Sequence, residues 1–445
     1  MNDATALREP PAAVPEVTTA GALELYLRLH REPELSGAEE RTAGLFAAAL
    51  APAGFDVTRD VGGHGVVAVL RNGNGPTVLL RAELDALPVR EPADLPYPST
   101  ATARDADGNE VGVMHACGHD LHLACAAGAA ALLSARRELW QGTLMVVGQP
   151  AEETLTGAEA LLRDGLYERF GPGPPDAVLA QHSAPLPAGM TAHPTGAATA
   201  ASTTLRVLVR GRGGHAAAPH LAVDPIAAAA AILLRLQTLV ARETGPADPA
   251  VISVGALHAG TSANLIPEEA RLDLTVRAAS DTTLERLLAA VHRIIAAEGA
   301  AAGCPEPPEF AVLNRAPANH PHRTLADAVL RAHRELLGPD RVVLWPTSLA
   351  TEDFGLFGPA GAALHGLADV RTAYWMFGVV GKTQWARTPG STAAQKLAAL
   401  PPNHSPRFRP DPGVAIPAGI RGLTAAALAA GLARPRPDTA RPGTI

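Results

Sequence analysis

Thr143-Leu144-Met145-Val146-Val147-Gly148-Gln149 is followed without a break by Pro150-Ala151-Glu152-Glu153. The first part reads as a strand, because branched and apolar side chains fit a pleated surface. Two carboxylates directly after it stand at the carboxyl edge of a sheet, where open α/β sheets bind ligands. Outward from this stretch, strand and helix alternate: strands over 65–70, 77–81 and 177–181, helices over 119–137 and 157–166. That order predicts an α/β layered domain.

The pattern changes downstream. Residues 203–209, 251–257 and 270–276 alternate in polarity, as strands with one wet face do, and helices are expected over 225–240 and 283–297. Asp224-Pro225 opens the first of these as an N-cap followed by proline at the first helical position. A smaller α+β unit follows from this. After residue 317 a helix over 323–337 and short strands return, with a late histidine, His404, whose apparent partners precede residue 190. The middle unit is therefore expected to be an insertion.

Composition narrows the function. A chain of 445 residues, 47% hydrophobic, can bury one or two sizeable cores. A formal net charge of -7 lacks the basic field that a phosphate backbone selects, so no nucleic-acid partner is expected. Cys117, Cys125 and Cys304 are too few and too irregular for a disulfide framework, which points to a reducing cytoplasm. Residues 1–17 carry Pro10, Pro11 and Pro15 among acidic side chains and show no signal-peptide pattern. The longest fully apolar run, 225–234, is half of the roughly 20 residues that a membrane span needs. No membrane association is expected, and by composition the ends, 1–17 and 433–445, read as disordered tails.

Four polar islands stand out: Met114-His115-Ala116-Cys117-Gly118-His119-Asp120-Leu121-His122, then Glu152-Glu153, then Gln181-His182, then Asn403-His404-Ser405-Pro406. A thiol and an imidazole at Cys117 and His119 suit a borderline-soft ion such as Zn, Mn, Co or Ni. Each island alone has a plainer reading: a buried cysteine, an acidic pair on a helix dipole, a structural histidine. Together Cys117, His119, Glu153, His182 and His404 are too many donors for one tetrahedral catalytic ion. They are about right for two divalent metal ions, with Glu152 left free to accept a proton. Gly211-Arg212-Gly213-Gly214-His215 lacks the spacing and the lysine of a phosphate-binding loop.

The islands and the segments between them resemble the M20 metallopeptidases, in the amidohydrolase branch of aminoacylases, hippurate hydrolases and auxin-conjugate hydrolases. The resemblance runs through Leu80-Arg81-Ala82-Glu83-Leu84-Asp85, the Cys117 island, Gln149 to Glu153, Gly213 to His220, Gly260 to Pro267, Thr351-Glu352-Asp353-Phe354, Tyr374-Trp375 and the His404 loop. It implies a catalytic domain with a mixed central β-sheet flanked by helices (18–195 and 315–432), interrupted by an α+β lid and dimerisation domain (196–314). It also implies metal ligands at Cys117, His119, Glu153, His182 and His404, a general base at Glu152 and an orienting acid at Asp85. His215 matches a lid residue that reaches a partner subunit's active site and binds the polarised carbonyl; Asn264 matches a substrate contact, although a turn asparagine reads equally well, and Arg277 would help hold a substrate carboxylate, although a solvated strand arginine is the plainer reading. His122 resembles a residue behind the ligands or a helix-surface histidine. Asp120 either orients a ligand imidazole or caps its helix, and Glu352-Asp353 reads as the acidic first turn of a capped helix. The implied reaction cleaves N-acyl amino acids to a carboxylic acid and a free amino acid in a homodimer. A dipeptidase or carboxypeptidase on the same centre, or a non-catalytic binding protein, are the alternatives.

Overall fold

The computed structural model describes residues 14–105 and 108–434. Two compact units form: one from 14–195, 321–346 and 356–434, the other from 196–320 and 347–355. The second unit runs past residue 314 because strand Glu309–Ala316 pairs with Ala201–Arg210, and Thr199 bridges to Ser348. At the ends, Glu16 and Val17 already belong to helix Glu16–Arg31, and Ala433 bridges to Trp140, so these three positions do not fit the expected tails. The rest of the expected tails, 1–13 and 435–445, lies outside the described residues.

The first unit is built on an eight-stranded mixed sheet in the order Asp56–Val61, Gly65–Asn72, Gly142–Gln149, Thr77–Glu83, Ala177–Pro187, Arg371–Val380, Thr191–Pro194, Val342–Trp345. Its four central strands, Gly142–Gln149 through Arg371–Val380, are parallel, so their carboxyl ends share one edge. Gly142–Gln149 and Thr77–Glu83 are buried at every residue, as strands covered on both faces must be.

Helix His119–Ala135 packs on this sheet together with Glu16–Arg31 and Pro412–Ala427. Close approach explains two of their glycines: a Cβ at Gly128 would lie 2.3 Å from Ile420 Cδ1, and one at Gly419 would lie 2.5 Å from Cys125 Sγ. Leu121, Ile420 and Leu423 are buried between these elements. Each such side chain contributes about 1.5–3 kcal/mol. Pro412–Leu432 is long and apolar enough to cross a membrane, but 67% of its apolar window is buried, which makes it a core helix of this unit.

The second unit is an antiparallel four-stranded sheet, Ala250–Ala259, Glu269–Ala278, Ala201–Arg210, Glu309–Ala316. Leu205, Val207, Leu272 and Leu274 face Ile232, Leu287 and Val291 of helices Pro225–Leu236 and Asp281–Ala301. The helix expected over 225–240 is two, because the chain breaks at Gln237 and restarts as Leu239–Glu243. The expected helix over 157–166 likewise ends at Arg163, where Gly165 turns left-handed at φ 79°.

Candidate metal centre

At the carboxyl edge of the parallel strands, Cys117, His119 and Glu153 each offer a ligand atom, all within 4.8 Å of one another. His182 Nε2 lies 3.4 Å from Cys117 Sγ, and His404 Nε2 lies 3.4 Å from Glu153 Oε1. All five expected metal donors are thus brought together within the first unit, strung from His182 past Cys117, His119 and Glu153 to His404.

Local structure delivers each one. Gly118, at φ 83°, lets the chain turn from Cys117 into helix His119–Ala135, and a Cβ there would lie 2.6 Å from Ser183 Oγ. His182 does not follow its strand, as the sequence suggested, but lies inside Ala177–Pro187, paired with Met376 of the neighbouring strand. His404 stands in a loop at φ 69°, a left-handed conformation that costs a non-glycine residue about 1–3 kcal/mol. Its N–H donates to Ala116 O (2.8 Å), and Asn403 Nδ2 donates to Cys117 O and Ser183 O (3.2 Å each), which anchors the loop to two other islands.

The imidazoles are set by their other nitrogens. His119 Nδ1 donates to Asp85 O (2.8 Å) and stands 3.3 Å from Asp85 Oδ1, so Nε2 turns to the centre. His182 Nδ1 donates to Ser183 O (2.9 Å), and its Nε2 faces Cys117. His119 Nε2 and Glu153 Oε1 are buried without hydrogen-bond partners among the described residues, the condition expected of atoms meant for an ion. The donor set therefore fits divalent metal.

Electrostatics agree. Burial works to lower the pKa of His119, yet its hydrogen bond to Asp85 and the charges of Glu83, Asp85 and Glu153 push it up to about 10. The crowded carboxylates favour positive charge at this point of the site. Burial, aided by Glu153 and Glu152, pushes the Cys117 thiol up, while burial lowers His182 to about 4 and keeps its lone pair free.

Glu152 Oε2 lies 3.7 Å from His119 Nε2, beside the donors and buried. Asp85 Oδ2 accepts from Glu153 N (2.9 Å) and Ser36 Oγ (2.7 Å), so this acid grips a backbone and an imidazole at once. Burial opposes its ionisation, but the His119 hydrogen bond holds its carboxyl below the usual range.

Behind the donors the structure decides between readings that the sequence left open, and adds partners that it did not show. His122 is buried, not on a helix surface: Nδ1 donates to Glu83 Oε2 (2.7 Å), and Nε2 accepts from Ser183 N (2.8 Å). Arg81 pairs with Glu83 and donates through Nε to Gln149 Oε1 (2.8 Å). Asp120 serves a different histidine from the expected one: it accepts from His30 Nδ1 (2.7 Å) and from Leu121 N (2.8 Å) in the first turn of its own helix, whose N-cap is Gly118, and it touches no ligand. The one available signal was charge at alternate positions, Arg81 and Glu83, in an otherwise apolar strand.

In the second unit, His215 pairs across a two-stranded ribbon with Leu265, and Ala216 N donates to Asn264 O (3.1 Å), so His215 and Asn264 share one rim. Arg277 is half-buried and donates to Leu349 O (3.1 Å). Glu352 and Asp353 open no α-helix: Glu352 accepts from Phe354 N (3.1 Å) at a 3₁₀ turn, and both acids are buried. Tyr374 and Trp375 are buried in the first unit's core.

The profile of Peptidase family M20/M25/M40 matches residues 79–391, a span that holds every expected donor except His404. A hippurate hydrolase from Campylobacter jejuni is 38% identical over 269 residues, covering 60% of this chain and 67% of that protein. A thermostable carboxypeptidase from Saccharolobus solfataricus is 34% identical over 278 residues, covering 61% and 67%. Among solved structures, a dinuclear metal-binding peptidase of the M20 family from Bacillus subtilis superposes with a TM-score of 0.71 at 25% identity, covering 93% of this chain and 98% of that one.

Proposed function

The chain belongs to Peptidase family M20/M25/M40, and on that premise we propose that it is a binuclear metal-dependent amidohydrolase cleaving N-acyl amino acids to a carboxylic acid and a free amino acid. The observation that carries this is the convergence of Cys117, His119 and Glu153, with the buried atoms His119 Nε2 and Glu153 Oε1 outside any hydrogen bond among the described residues and Glu152 alongside.

Cys117, His119, Glu153, His182 and His404 would hold two ions, Zn, Mn, Co or Ni. Bound there, these ions supply Lewis acidity, which makes a water more acidic and polarises an amide carbonyl. Glu152 takes the proton from that water as it attacks the carbonyl carbon, and hands it to the departing amine as the C–N bond breaks. Asp85 fixes His119 through Nδ1 and fixes Glu153 through its N–H, so base and donors stay in register. His215 and Asn264 are assigned to the acyl amino acid, within a homodimer, and Arg277 to its carboxylate. A thiol donor at Cys117 favours a reducing compartment.

The test is release of free amino acid from N-acetyl, N-benzoyl and longer N-acyl amino acids beside plain dipeptides, with each metal added and with chelator. Metal-dependent cleavage of the acylated set is expected. The carboxypeptidase relative gives the second reading its footing, and cleavage confined to dipeptides would establish it. Mixing the inactive variants His215→Ala and Glu152→Gln should restore some activity if these residues act across subunits; no restoration places the site within one chain.

A further inference from the structure

We infer that Glu39 and Ser36, on the loop between helices Glu16–Arg31 and Glu40–Leu50, are positioning residues for the turn that carries Glu152 and Glu153. The inference rests on the proposed function for its meaning, but its structural half stands without it.

The turn is strained. Ala151 (φ 51°) and Leu155 (φ 59°) are left-handed and neither is glycine. A Cβ at Gly157 would lie 1.6 Å from Pro150 O, so the backbone already crosses itself as closely as it can. Such conformations persist only where the surroundings over-determine them. Inside the turn, Leu155 N donates to Glu152 O (2.7 Å), and Thr156 N and Gly157 N both donate to Ala151 O (3.2 Å each).

Ala151 N takes its partner from elsewhere in the chain: it donates to Glu39 Oε1 at 2.8 Å. The same oxygen accepts from Gly37 N (2.8 Å), which locks the carboxylate to its own loop. Glu39 is fully buried, and its Oε2 has no hydrogen-bond partner among the described residues. A buried, half-satisfied carboxylate is costly, so fold stability alone gives no reason for an acid there.

A second arm reaches the same turn. Ser36 Oγ donates to Asp85 Oδ2 (2.7 Å), the oxygen that accepts from Glu153 N (2.9 Å). The loop thus holds the N–H before Glu152 directly and the N–H after it through Asp85. The loop is itself fixed: Ala86 N donates to Glu34 O (2.8 Å), and the Glu34 carboxylate accepts from Thr42 N (2.8 Å) and Thr42 Oγ1 (2.9 Å). With both flanks pinned, the Glu152 carboxylate is aimed by residues more than a hundred positions earlier in the sequence. Small misplacements of a reacting group are expensive, about 10²-fold in rate for 1 Å.

The experiment compares Glu39→Ala, Glu39→Gln and Ser36→Ala with the parent protein. It reads amide hydrogen exchange of a peptide spanning 150–157 in chelator-treated protein, melting temperature, and kcat and KM on an N-acyl amino acid with metal restored. Glu39→Ala should speed exchange of that peptide by about 10-fold and lower kcat by about 10²-fold, with KM within about twofold. Glu39→Gln, whose amide oxygen can accept both N–H groups, should stay within about threefold of the parent in exchange and kcat. Ser36→Ala should lower kcat by about 10-fold.

Parent-like exchange and kcat in Glu39→Ala would overturn the inference. So would a Glu39→Gln protein as impaired as Glu39→Ala, since the acceptor and not the charge is what is claimed. If Glu39→Ala fails to fold, Glu39→Gln and Ser36→Ala decide: parent-like kcat in Ser36→Ala, or a damaged Glu39→Gln, overturns it. If no substrate is cleaved by any form, the function reading fails while the exchange result still answers for the loop.

Discussion

In the first unit Arg81 and Glu83 sit at zero exposure on a strand buried along its whole length; in the second, Arg206 and Asp273 pair across strands with their side chains 42% and 21% exposed. Both are arginine–carboxylate pairs on sheets, yet they answer to different constraints. Arg81 and Glu83 continue into Gln149, His122 and Ser183 N, a chain of hydrogen bonds that leads to the backbone beside His182. Burial opposes ionisation of Glu83, and Arg81 and His122 outweigh it, holding its carboxyl well below the usual range. Arg206 and Asp273 answer mainly to water. Arg81 and Glu83 are buried where they lead to the donors, and Arg206 and Asp273 are left wet where a sheet needs only one dry face.

Removing one charge from each pair is the sharpest way to break that contrast. Arg81→Met leaves Glu83 a buried charge with His122 as its remaining partner and should destabilise the chain by about 3–5 kcal/mol in urea unfolding. A change below about 1 kcal/mol would mean that the interior is wetter than its burial implies.

Acid should expose the same difference more gently. His333 Nδ1 accepts from His193 Nε2 (3.0 Å) and its Nε2 donates to Gly422 O (3.0 Å), so both rings are neutral; burial lowers His333 to about 4. Between an ordinary histidine pKa near 6.5 and that value the unfolded chain binds more protons. The stability from this group is therefore complete above about pH 6.5 and is lost as pH falls towards 4, on the order of 3 kcal/mol. Urea midpoints across this range should fall less steeply in His333→Gln; parallel slopes would remove His333 from the account.

The smallest effect belongs to the second unit. Arg206→Ala should change stability by less than about 1 kcal/mol, and less still at high salt, as surface pairs do. A loss as large as that of Arg81→Met would erase the distinction between the two sheets.

Sequence legibility follows the same divide. Thr143 to Gln149, the Cys117 island and the alternating strands of the second unit were readable because their signals are local: periodicity, capping and ligand spacing. The donors could be grouped because thiol, imidazole and carboxylate are rare together in an apolar chain. His122 was left between two readings because its helix, His119–Ala135, is buried at nearly every position and presents no wet face to betray which side a histidine takes. Asp120 could be read as an acid that orients an imidazole, but not which one, because its partner, His30, comes from a distant helix. The brace at Ser36 and Glu39 had no local sign at all, since its meaning lies in Ala151 and Asp85, across the fold.

The most direct test of the account is Glu152→Gln, measured for turnover of a cleaved N-acyl amino acid and for bound metal in the same preparation. The account predicts two ions per chain, as in the parent, with kcat lower by about 10³-fold, because the amide keeps the shape of the base and cannot take its proton. A near-parental rate with metal intact would contradict it and send the search for the base elsewhere on this edge of the sheet.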